Sequence, residues 1–555
     1  MITRSLRLTA PSFWTWVMIA ACVMLAVLLF LPILSVFVIS FEDAETGRFT
    51  LENYVEIFTR RYYVSALSNT LIVGFAGMIG ACLLGVPLAF CMSRFQLRGR
   101  TLISTMAVLA LVSPPFIGAY AWIMLLGNNG AITNALEAIG IDMPSIYGMS
   151  GIILVFSLKF FPFIYLMTEN ALNGINKSLE DAAENLGCSA WRRFRKVTFP
   201  LVFPAVSTGA IISFVLSIAD FGTPAIIGRG VRTLSTIAYT QYTSEMGGTP
   251  TMAVTISMVM IAISMLALLI QRRMLAKRRY ASSMTHKCRR APLRGWWQSV
   301  LVHVMSYSIA LAGMIPSFVV IWTSFLATNG PVFSGGFGLD SYRRIMAEAP
   351  EAVKNSFIFA LCAVALIAVV SSLLSFIVVR RESFTSGLLD LILMVPYLVP
   401  GVVMAIGFVT TFSSGWYNLV GTATMIVLIV FIRRLPYGVR STSSVLRQVK
   451  PSIEEAAIAL GASPAKTFAK ITVPLIMPGI IVGSLMSFIT AINELSSTLI
   501  VYTSSTVTMP VKIYLSVVDG EFGVAAALST VLTISTGLCV FLVFRLSEDR
   551  ETNFV

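Results

Sequence analysis

Few side chains in this 555-residue chain have the type and spacing to do chemistry. Asp220 and Glu494 stand 274 residues apart, each just past an apolar stretch of about twenty residues. Acidic groups at matching ends of two such segments are candidates for a cation path or gate; the alternatives are solvated loop residues or local helix caps. Arg229 and Arg232 favour an anion instead, so the charge of any substrate is left open. Lys159 lies nearest the middle of an apolar stretch, and its counterpart Arg433 precedes Arg434; snorkelling to a membrane boundary accounts for both. Catalysis has little to work with. The chain has no G-x-x-x-x-G-K-S/T loop, no G-x-G-x-x-G between a strand and a helix, only two histidines and no clustered cysteines. Neither nucleotide nor metal is expected to bind here, and the chain is not expected to be an enzyme.

A second group of residues is set out twice. Ser178 to Pro204 recurs without a gap as Ser452 to Pro478, with thirteen of 27 positions identical, which marks an internal duplication. Within it, Glu180, Asp181, Ala182 and Ala183 correspond to Glu454, Glu455, Ala456 and Ala457. Ser178 with Asp181, and Ser452 with Glu455, have the spacing of a capping box, so a short helix is predicted to start at each serine. Gly187 and Gly461 should close it in the left-handed conformation. Ser189 and Ser463 then cap a second helix, predicted to end at Pro200 or Pro474. The small alanines permit close approach by another surface, and the acidic residues before them could pair with a partner's basic groups. A single such element reads equally well as an amphipathic helix lying on lipid; two near-identical copies point to docking of two copies of one partner.

Apolar residues make up 56% of the chain and charged ones 12%, and long uncharged runs imply membrane-spanning helices. Twelve are predicted, near 14–40, 66–93, 101–126, 150–170, 201–219, 252–271, 298–326, 353–379, 388–411, 419–436, 475–492 and 523–545. Lys and Arg concentrate in alternate connections, which places the N-terminus and both repeats in the cytoplasm. The net charge of +14 is therefore read as membrane topology and not as a nucleic-acid footprint. Seven scattered cysteines suggest no disulfide.

The repeat extends upstream, where Asn69-Thr70 pairs with Asn355-Ser356, and Leu88, Phe90 and Arg94 pair with Leu374, Phe376 and Arg380. The chain divides into halves, 1–271 and 298–555, joined by a basic linker, 272–297. Each half has an even number of spans, so the two run parallel, with a path expected between them. The fold class is an all-α polytopic membrane protein of about twelve helices in two six-helix halves. One mechanism open to such a chain is a twelve-span secondary transporter driven by an ion gradient; the paired cytoplasmic element argues against it.

The pattern Asp181-Ala182-Ala183 to Gly187 and Pro200, repeated as Glu455-Ala456-Ala457 to Gly461 and Pro474, resembles the EAA loop of permease subunits of binding-protein-dependent ABC importers. The first copy has Asp where the family usually has Glu. The resemblance implies a type I importer permease fold in the bacterial inner membrane. It also implies two copies of a partner ATPase that supply ATP and Mg chemistry, and an extracytoplasmic binding protein. The tandem layout, with Ile218 to Gly228 and Asn493 to Tyr502, resembles the fused permeases of ferric-iron importers. Fused permeases for aminoethylphosphonate, sugar phosphates and thiamine look similar.

Overall fold

The computed structural model describes residues 13–551 except 114, 129, 176, 245–247, 277–289, 294, 331, 382 and 414–417. Most of the basic linker lies outside these. In hydrocarbon a backbone can satisfy its N–H and C=O groups only within itself or in a closed sheet, and the apolar runs accordingly become helices. The first half holds α1 (Phe13–Ile39), α2 (Arg61–Arg94), α3 (Arg100–Leu111 joined to Phe116–Glu137), α4 (Met149–Asn173), α5 (Ala190–Ala219) and α6 (Pro250–Met274). The second holds α7 (Trp296–Ser324), α8 (Pro350–Arg380), α9 (Phe384–Tyr397 joined to Gly401–Phe412), α10 (Ala423–Leu446), α11 (Pro464–Ile492) and α12 (Phe522–Val543). Helix α10 is less apolar than the others because it carries Arg433, Arg434 and Arg440.

The two bent members, α3 and α9, turn by 106° and 105°. Pro115 follows one break, and Pro396 and Pro400 flank the other; a proline lacks an N–H, and its ring crowds the preceding turn. Pro87, by contrast, sits inside the continuous helix α2. One short hairpin departs from the all-helical plan, with β1 (Leu326–Asn329) antiparallel to β2 (Val332–Phe337) after α7.

The halves repeat in detail. In the first, α2, α4 and α5 pack together; in the second, α8, α10 and α11 do so. Asn69 Nδ2 donates to the Arg232 carbonyl at 3.0 Å, and the Leu234 N–H donates to Thr70 Oγ1 at 2.8 Å. Their repeats act likewise: Asn355 Nδ2 donates to the Ser505 and Val507 carbonyls, both at 3.0 Å, and the Met509 N–H donates to Ser356 Oγ at 2.7 Å.

The outer helices are exchanged between the halves. Helix α1 packs on α8 and α9, and α7 packs on α3. Trp14 of α1 stacks on Phe376 of α8 with ring centroids 4.0 Å apart. Ser35 donates to Thr410 at 2.9 Å, and the Tyr120 hydroxyl donates to the Phe522 carbonyl at 2.8 Å.

Candidate functional site

The repeated segment forms two helix–turn–helix elements. The first helices are Lys177–Asn185 and Ser452–Ala459. The first helix begins at Lys177, one residue before Ser178, and the second begins at Ser452 with Pro451 as its N-cap, in helical conformation and with no side-chain cap, so the capping box predicted there is not formed. Proline fixes φ in the helical range, so the turn begins one residue early. The closing turns are as expected. Gly187 has φ +78° and Gly461 +88°. The N–H groups after them, on Cys188 and Ala462, reach back to the Ala183 and Ala457 carbonyls at 3.0 Å each, which satisfies orphan carbonyls in a Schellman arrangement.

Ser189 and Ser463 cap the next turn, accepting from the Arg192 and Lys466 N–H groups at 3.4 and 3.3 Å. That helix does not stop at Pro200 or Pro474. A π turn, Phe194–Thr198 or Phe468–Thr472, precedes each proline, and the helix runs on into α5 or α11. The wider turn accommodates a missing N–H and the proline ring without a break. Each surface helix is thus rigidly continuous with a membrane helix.

The acidic residues divide into two roles. Asp181 and Glu455 are exposed, with Ala182 and Ala456 beside them, whereas Ala183 and Ala457 are buried. Glu180 and Glu454 do not face outward as expected; both are held within the chain. Glu180 accepts from Arg94 Nη2 at 2.6 Å and from Thr198 Oγ1 at 2.7 Å. Glu454 accepts from Arg380 Nε at 3.1 Å and from Thr472 Oγ1 at 3.4 Å, while Arg380 Nη2 also donates to the Val449 carbonyl at 2.7 Å. A partly buried carboxylate needs such partners, so these two glutamates turn inward at the helix foot. Aromatic edges add to each latch: Phe90 meets Phe194 and Phe376 meets Phe468, both with centroids 5.5 Å apart. The sequence signal for both latches was the repeat itself, which matched Arg94 to Arg380 and Phe90 to Phe376.

Around each latch the surface is apolar. Leu186 and its repeat Leu460 are 84% and 89% exposed, and Leu179, Ile453, Ile458 and Trp191 are exposed as well. An exposed apolar patch on a rigid, charged frame suits protein docking.

The other candidate lies between the halves, in a cavity of about 350 Å³. Lys159, Asp220, Arg433, Arg434, Tyr437 and Glu494 line it, so the repeated charges from both halves share one space. Asp220 and Glu494 end α5 and α11 and are 9% and 4% exposed, which rules out solvated loops. Both are local caps. Asp220 accepts from the Thr223 N–H at 2.8 Å; Glu494 accepts from the Ser497 N–H at 3.2 Å and the Ser497 hydroxyl at 2.8 Å.

Glu494 is in addition bound by Arg433 Nη1 at 2.5 Å and by Arg434. These arginines therefore do not snorkel to a boundary; a buried carboxylate on the neighbouring helix draws them in. Gly401 makes the room, since a Cβ there would lie 2.8 Å from Ser496 Cβ and 3.0 Å from Arg433 Nη1. Arg229 and Arg232 are occupied elsewhere, over the rings of Tyr147 and Tyr62 at 4.0 and 4.8 Å.

A duplicated helical bundle with an inter-half cavity and twin helix–turn–helix elements running into membrane helices defines a membrane permease. A family model described as "Binding-protein-dependent transport system inner membrane component" matches residues 81–280 and again 379–553, and the chain belongs to this family. It is a multi-pass inner-membrane protein, and membership decides against the secondary transporter. The chain is 28% identical over 517 residues to the ferric transport system permease protein FbpB of Actinobacillus pleuropneumoniae, covering 91% of this chain and 74% of that one. It is 25% identical over 536 residues to the Fe(3+)-transport system permease protein FbpB 2 of Haemophilus influenzae, covering 96% and 98%. Over 160 residues it is 31% identical to the molybdenum transport system permease protein ModB of the same species, covering 29% of this chain and 69% of that protein.

Proposed function

We propose that this single chain forms the complete membrane path of an ABC importer for ferric iron, with residues 1–271 and 298–555 acting as the two permease halves. The N-terminus, the linker 272–297 and both docking elements face the cytoplasm, in keeping with the placement of Lys and Arg. One ATPase subunit seats on each element, against Asp181, Ala182 and Leu186 in the first half and Glu455, Ala456 and Leu460 in the second. Gly187 and Gly461 hold the turns, and the helices through Pro200 and Pro474 carry ATP-driven motion into α5 and α11. An extracytoplasmic binding protein delivers substrate to the opposite face, and Asp220 and Glu494 lie on the route.

The observation that carries this reading is the twofold surface element, apolar and exposed at Leu186 and Leu460, in the turns that lead into helices continuous with the cavity wall. Iron as cargo rests on the similarity to ferric permeases over more than nine-tenths of this chain. The test is uptake of radioactive iron by liposomes containing this chain, its ATPase and its binding protein. Uptake should require ATP and both docking elements; a binding protein that carries no iron would overturn the assignment. A second reading, import of an oxyanion such as aminoethylphosphonate or a sugar phosphate, is favoured by one feature, the surplus of positive charge in the cavity.

A further inference from the structure

Three cations, Lys159, Arg433 and Arg434, and two carboxylates, Asp220 and Glu494, line the space between the halves. The imbalance has a clear origin in the repeat. Lys159 corresponds to Arg433 and Asp220 to Glu494, but Phe160 stands where the second half has Arg434, so one positive charge has no repeat-related counter-charge. Both guanidiniums are already spent on Glu494, and yet Nε of Arg433 and of Arg434 is buried without an acceptor among the described residues. Lys159 makes no ion pair or hydrogen bond among the described residues; its ammonium lies 5.8 Å from the Phe160 ring centroid, at the cavity wall. Asp220 is capped by Thr223 and has no cation within ion-pair distance among the described residues. A bare trivalent cation here would meet three like charges and a single uncommitted carboxylate, and in a medium of low polarity that repulsion is severe. An anionic group would instead find a free ammonium beside two guanidiniums.

We propose that the inter-half cavity is an anion-binding site, in which Lys159 and the Arg433–Arg434 pair receive a carboxylate or oxyanion group of the substrate. The site rests on the reading above that this cavity lies on the substrate route. The same chemistry has two sources: the cargo is itself an oxyanion, or it is iron that crosses with an anionic ligand still attached. Lys159 contacts the anion, while Glu494 is a positioning residue that holds the arginines.

The experiment is equilibrium dialysis of the full chain in lipid nanodiscs against radiolabelled citrate or inorganic phosphate, each alone and as its ferric complex. Saturable binding is expected in at least one form. Lys159→Gln should weaken it by about tenfold or more, the usual share of a hydrogen bond to a charged group. Lys159→Arg should retain it, and Asp220→Asn, which keeps the cap to Thr223, should tighten it. Opposite effects of the two neutralising changes cannot both come from misfolding. Binding of the free anion identifies an oxyanion cargo, and binding only of the ferric complex identifies an accompanying ligand; either supports the site. Absence of binding in every form, or equal binding by the wild type, Lys159→Gln and Asp220→Asn, overturns it. Dialysis needs neither ATPase nor binding protein, so failure of iron uptake leaves this result standing. Normal iron uptake without anion binding would sink this site alone.

Discussion

Arg380, the last residue of α8, donates to Glu454 across 74 residues of sequence, and the pair is almost closed to solvent. The counterpart Arg94–Glu180 does the same at the end of α2. Each of these surface helices is therefore tied to three membrane helices, by the chain to α4 and α5 or to α10 and α11, and through the ion pair to α2 or α8. Removing one partner from a buried pair strands the other charge and costs about 3 kcal/mol. Arg380→Ala should lower the thermal stability of the detergent-solubilised chain by about that amount and reduce ATP-driven uptake. The double change Arg380→Ala with Glu454→Gln should recover most of the stability and none of the coupling.

Gly187→Pro and Gly461→Pro should uncouple hydrolysis from uptake. Proline holds φ near about −65°, whereas these turns need the left-handed region that glycine reaches freely. The helical signal in circular dichroism should be unchanged, because both glycines lie in turns between helices. Normal uptake by both variants in liposomes would remove the turns from the coupling route.

Leu186→Glu and Leu460→Glu should leave stability within about 0.5 kcal/mol, since each side chain projects away from the fold. Co-purification of the ATPase should fall by about tenfold for either change, as for an apolar anchor lost from an interface. Equal retention of ATPase by both variants would mean that the apolar patch is not the seat.

Gly401→Ala would push a methyl group into Ser496 and the Arg433–Glu494 pair. Overpacking of this kind costs about 1–3 kcal/mol. A fall in melting temperature together with slower uptake is expected, whereas Gly387→Ala, with open space around it, serves as the control.

The architecture was largely legible in the sequence because membrane helices are written in runs of apolar residues and the core of the duplication is an ungapped match. The left-handed glycines were legible for the same reason, since one backbone requirement was met twice. The orientation of Glu180 and Glu454 was not. Adjacent acidic residues on a helix point some 100° apart, and only the position of Arg94 and Arg380, more than seventy residues away, decides which one turns inward. The boundary at Pro200 and Pro474 was misplaced because a proline normally ends a helix, and nothing local announces a π turn. The charge cluster around Glu494 was implicit in two matches at the same 274-residue spacing: cations on α4 and α10 and carboxylates after α5 and α11 recur together, which implies that they meet.

The exchange of α1 onto α8 and α9 has a consequence for how the protein is made. A membrane protein is threaded into the bilayer as it leaves the ribosome, at about 5–20 residues per second. Leu29 of α1 and Met404 of α9 are both fully buried in the same core, yet hundreds of residues separate them in the order of synthesis. Part of the first helix is covered by α6 of its own half, but the face that meets α8 and α9 must wait in lipid for tens of seconds until those two helices follow.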